Sequence, residues 1–360
     1  MTEERALNYR SEDAFGNWRD ILGRSVTTAE ALARLLPMDF KTICDVASRY
    51  PFRINPYYLS LIQTQNDPIW RQAIPDAAEI DDGFGAPDPL AEETLSPVPH
   101  LIHRYPDRVV LLVSHQCAMY CRFCMRKRQV GQSEAIPVEE TLEAAVDYLR
   151  KQPGVREVIL SGGDPFLLET DAIEAILMAL RKIPHLEILR IHSRTPCTLP
   201  QRITVRLADM LKKYQPIYVN THFNHPLEIT PVAAEACARL ADAGIPLGNQ
   251  TVFLKGVNDA ADILTVLFQK LQQIRVRPYY LHHPDLVRGT GHFRPSIEKG
   301  LEMMAAIQGH TSGLCLPHYV IDVPGGGGKV PLLPEYIQSR EGGKLWVRTY
   351  NGKTYDYPLT

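Results

Sequence analysis

The 360-residue sequence lacks an excess of either charge: 39 Lys and Arg stand against 41 Asp and Glu, for a net charge of −2. That balance excludes the basic footprint of a nucleic-acid binder and a strong pull toward acidic membranes, so recognition has to rest on local charge. No apolar run approaches the ~20 residues needed to span a bilayer, and the opening MTEERALNYRSEDAFGNWRD is polar with no apolar leader, so a cytoplasmic protein without membrane contact is expected. Paired cysteines are also missing. The seven present are an odd number, with Cys117, Cys121 and Cys124 clustered and Cys44, Cys197, Cys237 and Cys315 scattered among apolar neighbours. This is no disulfide framework; a tight cluster in a reducing compartment points to metal or redox chemistry, and the scattered four are expected to be buried small hydrophobes.

What is present is a chain that is 45% hydrophobic and long enough to bury a large core. Its first ~95 residues read as mainly helical, with amphipathic pieces at NWRDILGR and TTAEALARLL, the second opened by Thr27 and Thr28 as capping residues. DDGFGAPDPLAEETLSPVPH (81–100) is rich in Gly, Pro and acids and reads as a loop or linker. From about residue 108, strand patterns (RVVLLVS, REVILSG, EILRIHS, PIYVNTHF, PLGNQTVFL, RVRPYYLHH) alternate with helical ones such as VEETLEAAVDYLRK and PVAAEACARLADAG. Such alternation predicts parallel βαβ units, as a full barrel, a partial barrel or an open sheet, with the site at the carboxyl ends of the strands. The polar signals fall at those ends: the cysteines, SGGD (161–164), HSRTP (192–196), THFNHP (221–226) and HHPD (282–285). The C-terminal end adds IDVPGGGGK (321–329) and a hairpin pattern, LWVRTYNGKTYDYPL, turned at Asn351-Gly352.

The sharpest motif is CAMYCRFCMRKR (117–128), a C-x3-C-x2-C array followed at once by three basic residues in four. Three thiolates fall one short of a closed tetrahedral zinc site, which would need a distant fourth ligand such as His115 or His192 and more often comes as two C-x2-C knuckles. The spacing suits a four-iron cluster with one iron left free of protein. PGGGGK (324–329) suggests a phosphate-binding loop, but Val323 and Val330 stand where that motif needs Gly and Ser or Thr, so the nucleotide-triphosphatase reading fails. What remains is a plain glycine loop or a lysine, Lys329, delivered into a site where its amine can bind pyridoxal phosphate.

The array resembles that of the radical S-adenosylmethionine (SAM) superfamily. In that superfamily Cys117, Cys121 and Cys124 would hold a [4Fe-4S] cluster, SAM would chelate the open iron, and Phe123 would lie near the adenine. SGGD resembles its second motif. Taken in order, HRYPDR (103–108), CAMYCRFCMRKR, SGGD, SRTPCTLPQRIT, NTHFNHPLEIT, PLGNQTVFLKGVND, GHFR and DVPGGGGK resemble the successive signatures of the lysine 2,3-aminomutase family over nearly the whole chain. The resemblance implies an α/β fold, a partial (β/α)6 barrel over 96–300 with an N-terminal mainly helical region and linker (1–95) and a C-terminal segment (301–360) carrying the cofactor lysine. It implies Lys329 as the catalytic pyridoxal phosphate lysine with Arg104, Tyr105 and Arg108 around that cofactor. Ser161, Gly162, Gly163, Asp164, His222 and Gln250 would join Phe123 around SAM. Arg126 would clamp the substrate carboxylate, and Asp285 and Asp322 would hold the distal ammonium of lysine.

The activity so implied is an isomerase, an L-lysine 2,3-aminomutase that makes β-lysine by a 5′-deoxyadenosyl-radical 1,2-amino shift on the pyridoxal phosphate aldimine. An electron would come from a flavodoxin- or ferredoxin-like donor, and a homo-oligomer is expected. Two carboxylates favour a cationic substrate tail, since a glutamate-specific relative replaces both. Action on another amino acid, or on a lysine side chain of elongation factor P, is the alternative, although the relatives that do the latter lack the complete DVPGGGGK. A non-catalytic iron–sulfur or zinc protein would give no reason for Lys329, Asp285 and Asp322 to coexist. Ala260 after GVND and a cysteine-free YDYPLT end depart from the family's intersubunit zinc ligands, so no structural zinc is expected.

Overall fold

The computed structural model describes residues 16–36, 38–131 and 136–359, so the first fifteen residues of the expected N-terminal region lie outside the described residues. Five short helices open the chain: α1 (Trp18–Gly23), α2 (Ala29–Leu35), α3 (Phe40–Arg49), α4 (Pro56–Leu59) and α5 (Pro68–Ala73). Each starts on a side chain that accepts from the free N–H groups of its first turn: Asn17, Thr28, Asp39, Asn55 and Asp67. Of the two threonines expected at the second helix, Thr28 is the cap.

Nine strands form one sheet in sequence order: β1 (Leu101–Tyr105), β2 (Arg108–Ser114), β3 (Glu157–Gly162), β4 (Ile188–His192), β5 (Ile217–Thr221), β6 (Leu247–Val252), β7 (Arg277–His282), β8 (His318–Val323) and β9 (Gly328–Pro331). From β2 to β8 the pairing is parallel. The crossovers carry α6 (Val138–Arg150), α7 (Thr170–Arg181), α8 (Thr195–Thr198), α9 (Val205–Lys212), α10 (Pro231–Asp242), α11 (Ala261–Gln273) and α12 (Ile297–Ile307). The six expected strands are β2 to β7; β8 extends the parallel run, and antiparallel β1 and β9 cap its two edges. Every residue of β3 is buried, as expected for a parallel strand covered on both faces. Helix stripes such as Ile173, Ile176, Leu177 and Leu180 of α7 seal the outer face of the sheet, each side chain contributing roughly 1.5–3 kcal/mol of burial. Cys197, Cys237 and Cys315 are buried in this core and Cys44 packs against it, as small hydrophobes should.

The edges β1 and β9 share no backbone ladder, so the sheet is an open, partial barrel. Side chains bridge the opening instead. Tyr105 Oη on β1 accepts from the backbone N–H of Lys329 on β9 at 2.8 Å, and Arg104 on β1 reaches Asp322 on β8 at 3.1 Å. The expected terminal hairpin is present as β11 (Lys344–Arg348) and β12 (Thr354–Pro358), with β10 (Ile337–Glu341) added to make a separate three-stranded sheet. Its faces are largely exposed, and its turn spans more than the expected two residues, with Gly352 at φ 77°.

Candidate active site

A cavity of ≈ 520 Å³ opens inside the barrel, and every residue assigned above to the cluster, to SAM, to pyridoxal phosphate or to substrate lines it. The cysteine loop forms one wall. It is seated on the N-terminal helices: Asn55 Nδ2 donates to Ala118 O and Thr198 O at 3.1 and 2.8 Å, and Arg53 reaches Gln116 Oε1 at 3.0 Å. Arg122, between Cys121 and Cys124, points away from the cavity into a closed network. Its guanidinium meets Glu79 with contacts of 2.9 and 2.5 Å, and Lys127 Nζ meets the same carboxylate at 2.5 Å and Arg122 O at 2.7 Å. Although burial opposes it, Arg122 and Lys127 hold the Glu79 carboxyl below the usual range; burial and Arg122 push Lys127 down to about 8.

Burial, then Asp164 and the neighbouring thiols, push the Cys117 thiol well up, and burial and Cys121 push Cys124 up to about 11. Among the described residues, no three His, Cys, Asp or Glu side chains gather into a set that could hold a single metal ion. His192 faces Asn220 across 3.3 Å and His115 packs against His100, so neither closes a zinc site with the thiols. Three thiols lining one cavity, one short of a closed tetrahedral set, are a donor set that would fit a [4Fe-4S] cluster.

SGGD is the end of β3, folded against the cysteine loop. A Cβ on Gly162 would lie 2.3 Å from Ser114 O, and one on Gly163 would lie 2.4 Å from Gln116 O, so the glycines are needed first to let this turn pack against the chain that leads into Cys117. Asp164 accepts from Phe166 N, Ser193 Oγ, Arg194 N and Thr195 N, and thereby ties the end of β3 to the end of β4. Phe123 lies 5.6 Å from the His222 ring and 5.9 Å from Phe293 in a small apolar cluster of its own. His222 Nε2 contacts Asn224 Oδ1 at 3.1 Å, and burial holds its imidazole neutral, well below the usual range.

Arg194, which the sequence reading quotes but gives no role, is the hub of this end. Its Nη1 lies 2.7 Å from Cys121 Sγ, its Nη2 reaches Gln72 and Glu228 at 2.6 and 2.7 Å, its Nε donates to His222 O, and its plane covers the Phe123 ring at 5.2 Å. The signal available in sequence was its place just beyond a strand, at the face where the other polar motifs fall.

At the opposite end stand the charged groups. Lys329 Nζ is 2.6 Å from Asp322 Oδ2, and Asp322 Oδ1 takes Arg104. Asp285 is pushed up to about 7 by burial and by the nearby Asp322, with Lys329 opposing. His282, also on the cavity, is held down to about 3 by burial and by Lys329. Arg108 stacks over the Tyr105 ring at 3.9 Å. Arg126 is paired with Glu92, a residue of the supposed linker to which the sequence reading gives no role: Nη2 and Nε lie 2.8 and 3.0 Å from its two carboxylate oxygens. Arg104, Arg108, Arg126 and Lys329 thus share one cavity with Asp285, Asp322 and Glu92, an arrangement that can meet charges of both signs.

Comparison with known proteins places the chain in a family. Residues 111–267 match the radical SAM superfamily and residues 304–359 match lysine-2,3-aminomutase. The chain is 47% identical to the L-lysine 2,3-aminomutase of Clostridium subterminale over 97% of this chain and 86% of that one. It is 50% identical to the enzyme of the same name from Fusobacterium nucleatum subsp. nucleatum over 85% and 73%. It is also 42% identical to the glutamate 2,3-aminomutase of Clostridioides difficile over 96% and 83%.

Proposed function

The chain belongs to the lysine 2,3-aminomutase family within the radical SAM superfamily and is an isomerase; from that premise we propose that it interconverts L-lysine and β-lysine, moving the amino group between adjacent carbons. The observation that carries this reading is the pair Asp285 and Asp322 on the same cavity as Arg126 and Lys329. Arg126 would take the α-carboxylate through a charge-assisted hydrogen bond from its remaining Nη2 hydrogen. Asp285 and Asp322 would take the distal ammonium, leaving Lys329 to hold pyridoxal phosphate with Arg104, Tyr105 and Arg108 around it.

When bound, the cluster with SAM supplies a hydrogen-abstracting radical at the cost of one electron from a flavodoxin- or ferredoxin-like donor, and pyridoxal phosphate supplies a reversible carrier for the migrating nitrogen. The residues of this chain do the rest. Cys117, Cys121 and Cys124 hold the cluster at one cavity wall, and Phe123, His222, Gln250 and the SGGD turn line the space beside it for SAM. The amino-acid end fixes both charged groups of the substrate, which sets which hydrogen faces that wall. Of the N-terminal region 1–95, the described residues 16–36 and 38–95 would serve as the bed and closure, with 96–300 as the barrel and 301–360 as the carrier of Lys329.

A glutamate substrate would bring an anionic tail to Asp285 and Asp322, which like-charge repulsion disfavours. The deciding experiment is anaerobic incubation with reductant, SAM and pyridoxal phosphate and, in parallel, L-lysine, L-glutamate or elongation factor P. β-Lysine from free lysine is the expected product; β-glutamate, or modification of the protein with free lysine untouched, would overturn the reading.

A further inference from the structure

The loop at 81–100 is a strap across the amino-acid end of the cavity. It carries no helix or strand, yet it is pinned along its length: Asp82 accepts from the backbone of Thr290 and Gly291 at 3.0 and 2.8 Å, Ala86 pairs with Val287, Pro89 O accepts from Gly325 N at 2.8 Å, and Leu90 O accepts from Arg104 Nη2 at 3.2 Å. These partners are Arg104 itself, the chain that follows Asp285, and the turn that joins Asp322 to Lys329. At the centre of the strap is Glu92, its side chain 6% exposed.

Glu92 grips the Nε and Nη2 edge of Arg126, while Ser161 Oγ and Gly162 O accept from Nη1 at 3.1 and 3.4 Å. The plane of the guanidinium is therefore fixed from two sides. The second Nη2 hydrogen has no acceptor among the described residues. A long side chain held this way loses its rotational freedom before substrate arrives, which lowers the entropic cost of binding. Glu92 also neutralises a buried cation, whose side chain is 11% exposed.

We propose that Glu92 is the positioning residue of the substrate-carboxylate clamp, orienting Arg126 so that its free edge meets the α-carboxylate. This rests on the proposed function, in which Arg126 receives that group. In Glu92→Gln one carboxylate oxygen becomes an N–H donor facing the donors of Arg126, so the guanidinium turns away while the volume of the side chain is kept.

The test is equilibrium binding to the pyridoxal phosphate-loaded protein, followed by the change in the cofactor's visible absorbance without turnover. The amines are L-lysine and L-lysinamide, which has the same side chain but no anionic carboxylate. In the wild type, lysine binds more tightly than the amide; equal binding there would overturn the role of Arg126 and with it the proposed function. In Glu92→Gln, lysine weakens by roughly tenfold, the loss of one misaligned charge-assisted hydrogen bond, while lysinamide is unchanged. Equal weakening of both amines, or tighter binding of lysine, would overturn the positioning role while leaving the wild-type result standing. Should Glu92→Gln fail to fold, Glu92→Asp carries the same comparison, with a smaller loss confined to lysine.

Discussion

The two ends of the cavity are built in opposite ways. The three cysteines come from one segment of eight residues, 117–124, and their loop is locked by a network that is closed on itself: Glu79 and Arg122 are 0% and 2% exposed, and Lys127 completes the set. The amino-acid end is assembled from the strap, β1, the loop after the cysteines, the end of β7 and the β8–β9 edge. Its ion pairs face the cavity, with Lys329 29% exposed beside Asp322. A closed network fixes geometry and has no partner to exchange. An open one can trade partners: were the amine of Lys329 joined to a cofactor as proposed, Asp322 would keep Arg104 and could take a substrate ammonium in place of that amine. One end is built to stay still while the other is built to be refilled.

The widest separation between the ends should come from single substitutions at each. Lys329→Ala is expected to lower turnover by on the order of 10³-fold or more and to abolish the visible band of bound pyridoxal phosphate, with iron and sulfide content unchanged. Cys124→Ala is expected to do the reverse, losing iron while keeping the cofactor band. The measurement is a metal analysis and an absorbance spectrum on each anaerobically purified variant. If either substitution empties both ends, the two are one cooperative unit and the contrast is broken.

The same contrast explains what could be read from the amino acids. The strands β2 to β7 announce themselves by apolar runs at regular spacing, and the cysteine loop by an array whose chemistry is contiguous. The glycine run by itself raised Lys329, but Arg126, Asp285 and Asp322 were given roles only because long motifs resemble a family; nothing local to Asp285 distinguishes it from a turn residue. Glu92 and Glu79 stayed hidden because each acts on a residue far along the chain, Arg126 and Arg122, and because a Gly- and Pro-rich stretch reads as a linker whether or not it is pinned. The basic run after the cysteines looked like one charged patch. In the fold its members reach acids from an earlier stretch of the chain: Arg126 takes Glu92, Lys127 takes Glu79, and Arg128 takes Asp88 and Glu93 and comes within 3.6 Å of Glu92. β8 and β9 were missed as strands since IDVPGGGGK carries only a short apolar run before its glycines, and pairing with β7 supplies the rest.

The next largest effect belongs to the closed network. Glu79→Gln leaves Arg122 and Lys127 buried without a counter-charge, a loss of roughly 3–5 kcal/mol in the stability of the fold. Urea unfolding of the wild type and variant checks it, and the double substitution Glu79→Gln with Lys127→Met should recover part of the loss by removing one of the stranded cations. Because the network grips the cysteine loop, the variant should also release iron faster on dilution while binding lysine as before. Unchanged stability would mean that the cluster end is held by its backbone hydrogen bonds alone.

The smallest effect is a proton at the open end. Burial and Asp322 raise the Asp285 carboxyl to about 7, so near neutral pH it is partly protonated and offers a cation no charge. The ammonium of lysine needs the ionised form. Binding should therefore strengthen as pH rises through 7 and level off above 8, and one linked proton of this pKa makes lysine about tenfold weaker at pH 6 than at pH 8. L-Norleucine, which keeps the α-amine and carboxylate but has no distal ammonium, should lack this component, and Asp285→Asn should flatten the lysine profile. A profile for lysine that matches that of norleucine would place the distal ammonium away from Asp285 and leave Asp322 as its partner. That outcome would make the open end simpler than its two carboxylates suggest, with Asp322 for substrate and Asp285 held near 7 by burial and by Asp322.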